Sequence, residues 1–149
     1  LSQTRLDFAT ERGADHVIKA DEADAVEEIK KLTDGLGADL CIEAVGVPAT
    51  LKQCFKAVKT GGQILLDGEQ GEVPLSPSED FIRRDITASG CWFYHFSEIP
   101  AMCDLALSGF PVGDLVTHSL PAKRAPEGFD LFANGQTGKV ALHWSGDDA

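Results

Sequence analysis

The stretch Ala38-Asp-Leu-Cys-Ile-Glu-Ala-Val-Gly46 constrains this chain most. Leu40, Cys41, Ile42, Ala44 and Val45 form an apolar run broken by one acid, Glu43, and stopped by a glycine. That pattern reads as a strand buried on both faces at the centre of a parallel sheet. Pro48 then stands at a first helical position, where its missing N–H and fixed φ do no harm. A strand that ends in glycine and turns directly into a helix leaves a crevice at the carboxyl edge of the sheet, where such folds bind ligands.

The remaining sequence extends the same alternation. Ser2 reads as the cap of a helix that carries Leu6, Phe8 and Ala9 inward and stops at Gly13, and a strand is expected from Asp15 to Lys19. Asp21 to Leu32 reads as a helix, acidic at its start and lysine-bearing at its end, in keeping with the helix dipole. After Pro48, Leu51, Cys54, Phe55 and Val58 fall at helical spacing. Thr60-Gly61-Gly62 ends that helix, and Gln63 to Asp67 is the next strand. A polar loop from Glu69 to Ser78 holds a candidate edge strand at Val73 and leads to a short helix around Asp80 to Arg84. Ile86 to Gly90 is a further strand. Ser97 is expected to cap a helix through Ser108, with Ile99, Met102, Cys103 and Ala106 on one side. Pro111 and Gly113 mark a linker. Beyond it follow a strand at Leu115 to His118, a helix from about Arg124 to Ala133, a strand from Lys139 to Trp144 and a loose tail from Gly146. Such alternation implies a doubly wound parallel sheet with helices on both faces.

At 149 residues the chain has the length of one ordinary domain. Its formal net charge of −11 argues against nucleic acid or an anionic membrane as partner. No stretch approaches the roughly 20 apolar residues of a membrane span, and no basic-then-apolar leader opens the chain, so a cytoplasmic protein is expected. Cys41, Cys54, Cys91 and Cys103 lie far apart, with no zinc-type spacing, and read as reduced and mostly buried thiols. The chain opens on Leu-Ser-Gln-Thr with an element that looks like the middle of a fold, so a fragment is expected.

Three glycine-bearing turns, Ala44-Val45-Gly46, Asp67-Gly68-Glu69 and Ser89-Gly90-Cys91, follow strands and would gather on one edge, forming a groove for a nucleotide-sized ligand. The G-x-G-x-x-G fingerprint and a Walker-type lysine loop are both absent. Asp39 and Glu43 read as carboxylates at the strand ends rather than as an acid–base pair, and no histidine is assigned to catalysis or metal.

Arg5-Leu6-Asp7-Phe8-Ala9, Gly13-Ala14-Asp15-His16-Val17-Ile18, Asp39 through Gly46, Gly61-Gly62-Gln63-Ile64, Thr117-His118-Ser119-Leu120-Pro121, Pro126-Glu127-Gly128-Phe129 and Thr137-Gly138-Lys139-Val140 occur in the order and spacing of a known family. Together they resemble the carboxyl-terminal half of a zinc-type medium-chain alcohol dehydrogenase, nearest the threonine and sorbitol dehydrogenase-like branch. The resemblance implies an α/β fold: a truncated Rossmann-type sheet over residues 1–110 that lacks its first two strands, followed by a return segment of the catalytic domain over 111–149. It implies no catalytic residue and no metal ligand here, the zinc of the intact protein being held by residues outside this chain.

The same resemblance implies a coenzyme wall. Arg5 would lie near the adenosine ribose, or else is a solvated residue of a first helical turn. Val45, Gly46, Asp67, Gly68 and Glu69 would line the nicotinamide half, the two acids departing from the apolar residues common there. Cys91, Trp92 and Phe93 would contact the carboxamide and, across a subunit boundary, a neighbour's substrate pocket; an aromatic cluster there is otherwise core or dimer contact. Lys139 would reach the pyrophosphate, or else is a surface lysine. NAD is favoured over NADP because Leu1, Ser2 and Gln3 bring no cation for a 2′-phosphate.

The intact protein would then be an oligomeric, NAD-dependent, zinc-assisted oxidoreductase acting on a secondary alcohol, a polyol or hydroxy amino acid, with this piece inactive alone. The alternative is a non-catalytic nucleotide-binding or interaction module. In the family's strand order 3-2-1-4-5-6, loss of two strands would open a gap of about 10 Å beside Leu40. Either Val17's strand slides into it, or a second copy or another segment pairs there.

Overall fold

The computed structural model describes residues 2–144, which fall into two compact units. One runs from Glu22 to Phe96; the other joins the segment up to Asp21 with that from Ser97 onward. The units therefore divide the chain elsewhere than at Pro111 and Gly113.

The continuous unit holds α2 (Ala25–Leu32), β1 (Ala38–Glu43), α3 (Pro48–Ala57), β2 (Val58–Leu66) and β3 (Thr87–Gly90). Its three strands form a parallel sheet in the order β1-β2-β3. Asp24 caps α2 by accepting from the backbone N–H groups of Val26 and Glu27, so the helix starts later than its acidic lead-in suggests. Pro48 begins α3, which buries Leu51 and Phe55. Val26, Cys41, Leu51, Phe55, Ala57, Val58, Ile64 and Ile86 make the core. Phe81 packs edge to face on Phe55 with ring centroids 5.0 Å apart. Arg84 closes the far end of α3 by donating to the carbonyls of Phe55 and Val58. Ala38 pairs with Val58 but Leu40 with Gln63, so residues 59–62 bulge out of β2 rather than separating helix from strand.

The reading of β1 as a central strand buried on both faces is corrected here. It is an edge strand; Leu40 and Ile42 are 50% and 57% exposed, while Cys41 and the charged Glu43 face the core. Side chains alternate along a strand, and α2 and α3 cover only the Cys41 side within this unit. An apolar run therefore did not report two buried faces. Val73 is half-buried against the core without forming a strand, and residues 77–84 wind as short π and 3-10 turns.

In the second unit, Ser2 caps α1 (Gln3–Glu11) and also donates to the carbonyl of Gly135 at 2.5 Å. The strand expected from Asp15 to Lys19 is absent. That segment makes no sheet ladder, and Val17's strand does not slide in beside Leu40. Two β-rich residues, Val17 and Ile18, do not make a strand without a neighbour to bond. α4 (Ile99–Leu107) follows a 3-10 turn at Phe96–Glu98; Ser97 is not its cap, and no residue of the helix is buried, Cys103 included. β4 (Val116–Pro121) and β5 (Lys139–His143) form a two-stranded parallel sheet under α5 (Ala125–Ala133), whose Gly128 lies against Leu120, Val140 and Leu142. The tail expected from Gly146 lies outside the described residues. Among the described residues no helix is long and apolar enough to cross a membrane.

Candidate functional site

Parallel pairing puts the carboxyl ends of β1, β2 and β3 along one edge, so the turns after them are neighbours. The first two turns meet on one residue. Glu43, last in β1 and only 1% exposed, accepts at its backbone carbonyl from the N–H groups of Asp67 (2.9 Å) and Gly68 (2.8 Å). Its carboxylate accepts from the N–H groups of Val45 (3.0 Å) and Gly46 (3.0 Å), from the Thr50 hydroxyl (2.5 Å) and from Gln70 Nε2 (3.2 Å). Burial pushes the Glu43 carboxyl up. The Thr50 hydroxyl and the Gly46 and Val45 amides outweigh it and hold the group below the usual carboxylate range.

The two glycines serve the turns rather than open space. Gly46 has φ +81°, and a Cβ on it would overlap the Glu69 carbonyl. A Cβ on Gly68 would overlap the Gly46 amide nitrogen. Backbone thus packs directly on backbone, an approach that only glycine allows.

A groove of 530 Å³ opens beside the second turn, lined on its polar side by Asp67, Gly68, Glu69 and Gln70, and closed by Leu66, Val73, Gly90, Cys91 and Trp92. It brings together Asp67, Gly68, Glu69, Cys91 and Trp92 among the residues singled out in the sequence. Val45 lines a different cavity of 330 Å³, with Leu40, Cys41, Ile42 and Cys54, and Gly46 lies between the turns. In that second cavity the Cys54 thiol, hydrogen-bonded to Cys41, lowers the Cys41 pKa and has its own raised.

The third turn is built differently. Cys91 donates its N–H to Leu66 O at 2.8 Å, and its thiol points to the Phe93 carbonyl at 3.7 Å. Phe93 holds φ +53°, and its ring meets Trp92 edge to face at 4.8 Å. Both rings are largely exposed, at 71% for Trp92 and 75% for Phe93.

Arg5 and Lys139 belong to the other unit. The Arg5 guanidinium donates to the carbonyls of Thr137 (3.2 Å) and Phe132 (2.9 Å) and stacks on the Phe132 ring, so it fastens the return segment onto α1. Lys139 is exposed at the start of β5, on the rim of a 190 Å³ apolar pocket between α5 and β5. Thr50 and Gln70 are partners that the sequence reading missed. The signal for them was Glu43 itself, since an acid inside an apolar strand needs donors nearby.

Among the described residues no group of three or more His, Cys, Asp or Glu side chains is placed to hold a metal ion. The family model described as zinc-binding dehydrogenase matches residues 1–108. The chain is 28% identical over 146 residues to an L-threonine 3-dehydrogenase of Bacillus licheniformis, covering 95% of this chain and 42% of that protein. It is 31% identical over 144 residues to human sorbitol dehydrogenase, covering 95% and 40%. The structure superposes on the alcohol dehydrogenase TADH from Thermus sp. ATN1 with a TM-score of 0.84 at 29% identity, over 95% of this chain and 41% of that one. The chain thus spans about two fifths of the length of these relatives.

Proposed function

This chain belongs to the zinc-binding dehydrogenase family, and from that premise we propose that it forms the nicotinamide-side wall of the coenzyme site in an oxidoreductase that acts on a secondary alcohol. The substrate is a polyol or a hydroxy amino acid, the coenzyme NAD, and the working protein a homo-oligomer. The observation that carries this reading is the groove at the carboxyl edge of the three-stranded sheet, which gathers Asp67, Gly68, Glu69, Cys91 and Trp92.

The groove suits part of a dinucleotide. Its 530 Å³ is within the range of small-ligand clefts, it has a backbone turn on one side and an aromatic ring on the other, and its polar groups are few. When bound, NAD supplies the hydride acceptor. The chain's own contribution is position and shape: the second turn offers backbone at the groove wall, and Trp92 gives an apolar surface for a flat ring. Asp67 and Glu69, both exposed, put negative charge at the mouth, which favours a cationic oxidised ring over a neutral reduced one. The described residues offer no ligand set for the family's zinc, and no step is assigned to it.

Calorimetric titration of the 149-residue chain with NAD and NADP tests the reading. Binding of NAD, weaker binding of NADP and no turnover of threonine, sorbitol or butanediol are the expected results. Absence of any NAD binding would remove the coenzyme reading, and turnover of an alcohol would overturn the assignment of this chain to binding alone.

A further inference from the structure

The groove is lined by the second turn, yet the residue that fixes this turn does not line it. Glu43 stands behind it with six donors on its two polar groups. Asp67 N and Gly68 N bond the backbone carbonyl; Val45 N, Gly46 N, Thr50 Oγ1 and Gln70 Nε2 bond the carboxylate. These donors come from the turn after β1, the first turn of α3 and the turn after β2. A strand position facing this core needs only bulk, which valine or leucine supplies without the cost of burying a charge. What a carboxylate adds is acceptor capacity: two oxygens with about four lone-pair sites match the four donors found here. The glycines then let the turns close on one another until backbone meets backbone.

Resting on the coenzyme reading above, we infer that Glu43 is the positioning residue of the groove, its single buried carboxylate setting the spacing between the turns at 45–46 and 67–70. Glu43 itself does not line the groove. Its carboxylate acts on the second turn through Gln70, which lines the groove, while the Asp67 and Gly68 amides bond the Glu43 backbone carbonyl, an acceptor that any residue here would offer. Removing the carboxylate frees the Val45 and Gly46 amides and the Gln70 side chain together, so the first turn loses its acceptor and the second turn its side-chain tether, keeping only the two bonds to the Glu43 backbone carbonyl.

The experiment uses the ¹⁵N-labelled 149-residue chain and three variants: E43Q, E43A, and V26A as a core substitution remote from the groove. Two readouts are taken well below every melting midpoint. In E43Q the Val45 and Gly46 amide proton resonances are expected to move upfield, because a neutral acceptor replaces a charged one. The Kd for NAD is expected to rise about tenfold in E43Q, the equivalent of one charge-assisted hydrogen bond, and further in E43A. E43Q keeps an acceptor oxygen and so recovers part of what E43A loses. V26A is expected to lower the melting temperature while leaving Kd within about twofold.

Unchanged Val45 and Gly46 resonances in E43Q would overturn the inference, as would unchanged NAD affinity in both Glu43 variants or an equal loss in V26A. If E43A does not fold, E43Q, which keeps the size of the side chain, decides alone. If the unsubstituted chain binds no NAD, the coenzyme reading fails, and the amide resonances still decide whether Glu43 sets the two turns.

Discussion

The first two turns of the site and the third are held by opposite means. The turns after β1 and β2 converge on Glu43 and close with glycine against glycine; the turn after β3 has one backbone bond to Leu66, a left-handed Phe93 and two exposed rings. Six donors of the first pair, the Val45, Gly46, Asp67 and Gly68 amides, the Thr50 hydroxyl and Gln70 Nε2, all bond Glu43, so hydrogen bonding ties those turns to one residue. The third turn keeps its apolar rings in solvent, where burial gives it no fixed position.

The contrast breaks most readily at the glycine contact. G68A places a methyl group on the Gly46 and Val45 amide nitrogens, backbone that cannot swing aside, and against the Glu43 carboxylate that those amides hold. A loss on the order of 3 kcal/mol is expected in urea unfolding, or failure to fold. A variant that unfolds like the parent would show that the turns are not in contact.

E43Q is the next largest. Replacing the buried carboxylate leaves at least one amide donor short, and about 1–3 kcal/mol of stability is expected to go. Its pH dependence carries a sign. The folded Glu43 carboxyl lies below its ordinary value, so its contribution is complete above the ordinary range near pH ~4.3 and is lost as pH falls through the lower folded value. The gap in melting temperature between parent and E43Q should therefore be widest near neutrality and narrow in acid. A gap that grows on acidification would refute the charged tether.

G90A sharpens the comparison from the other side. A Cβ on Gly90 meets nothing within 4 Å, and its φ is not left-handed, so stability is expected to stay within about 0.5 kcal/mol of the parent. Gly68 and Gly90, which look alike in sequence, would then differ by the whole span between a methyl clash and none.

Much of the architecture is set by local pattern. Pro48 with the spacing of Leu51, Cys54 and Phe55 announces α3, the acidic lead-in and paired lysines announce α2 though not its start after Asp24, and the apolar runs announce β1, β5 and the second half of β2, because these signals depend on residues within a turn or two of each other. The motif order also identified the family, and the family match agrees. What the sequence left open is what lies beside each strand. Leu40 and Ile42 carry the composition of a buried strand and end up half-exposed, while Glu43 ends up in the core. Burial of a strand face is decided by what packs on it, and within this unit the faces of Leu40 and Ile42 stay half-exposed while Cys41 and Glu43 face the core. Val17 and Ile18 have strand propensity but no ladder, since a strand needs a neighbour to bond. For the same reason Ala38 to Gly46 announces a strand and a turn by itself. Only the tertiary structure decides that the acid within it, rather than the apolar residues around it, reaches the Asp67–Gln70 turn and holds the two together, since those donors come from residues more than twenty positions away.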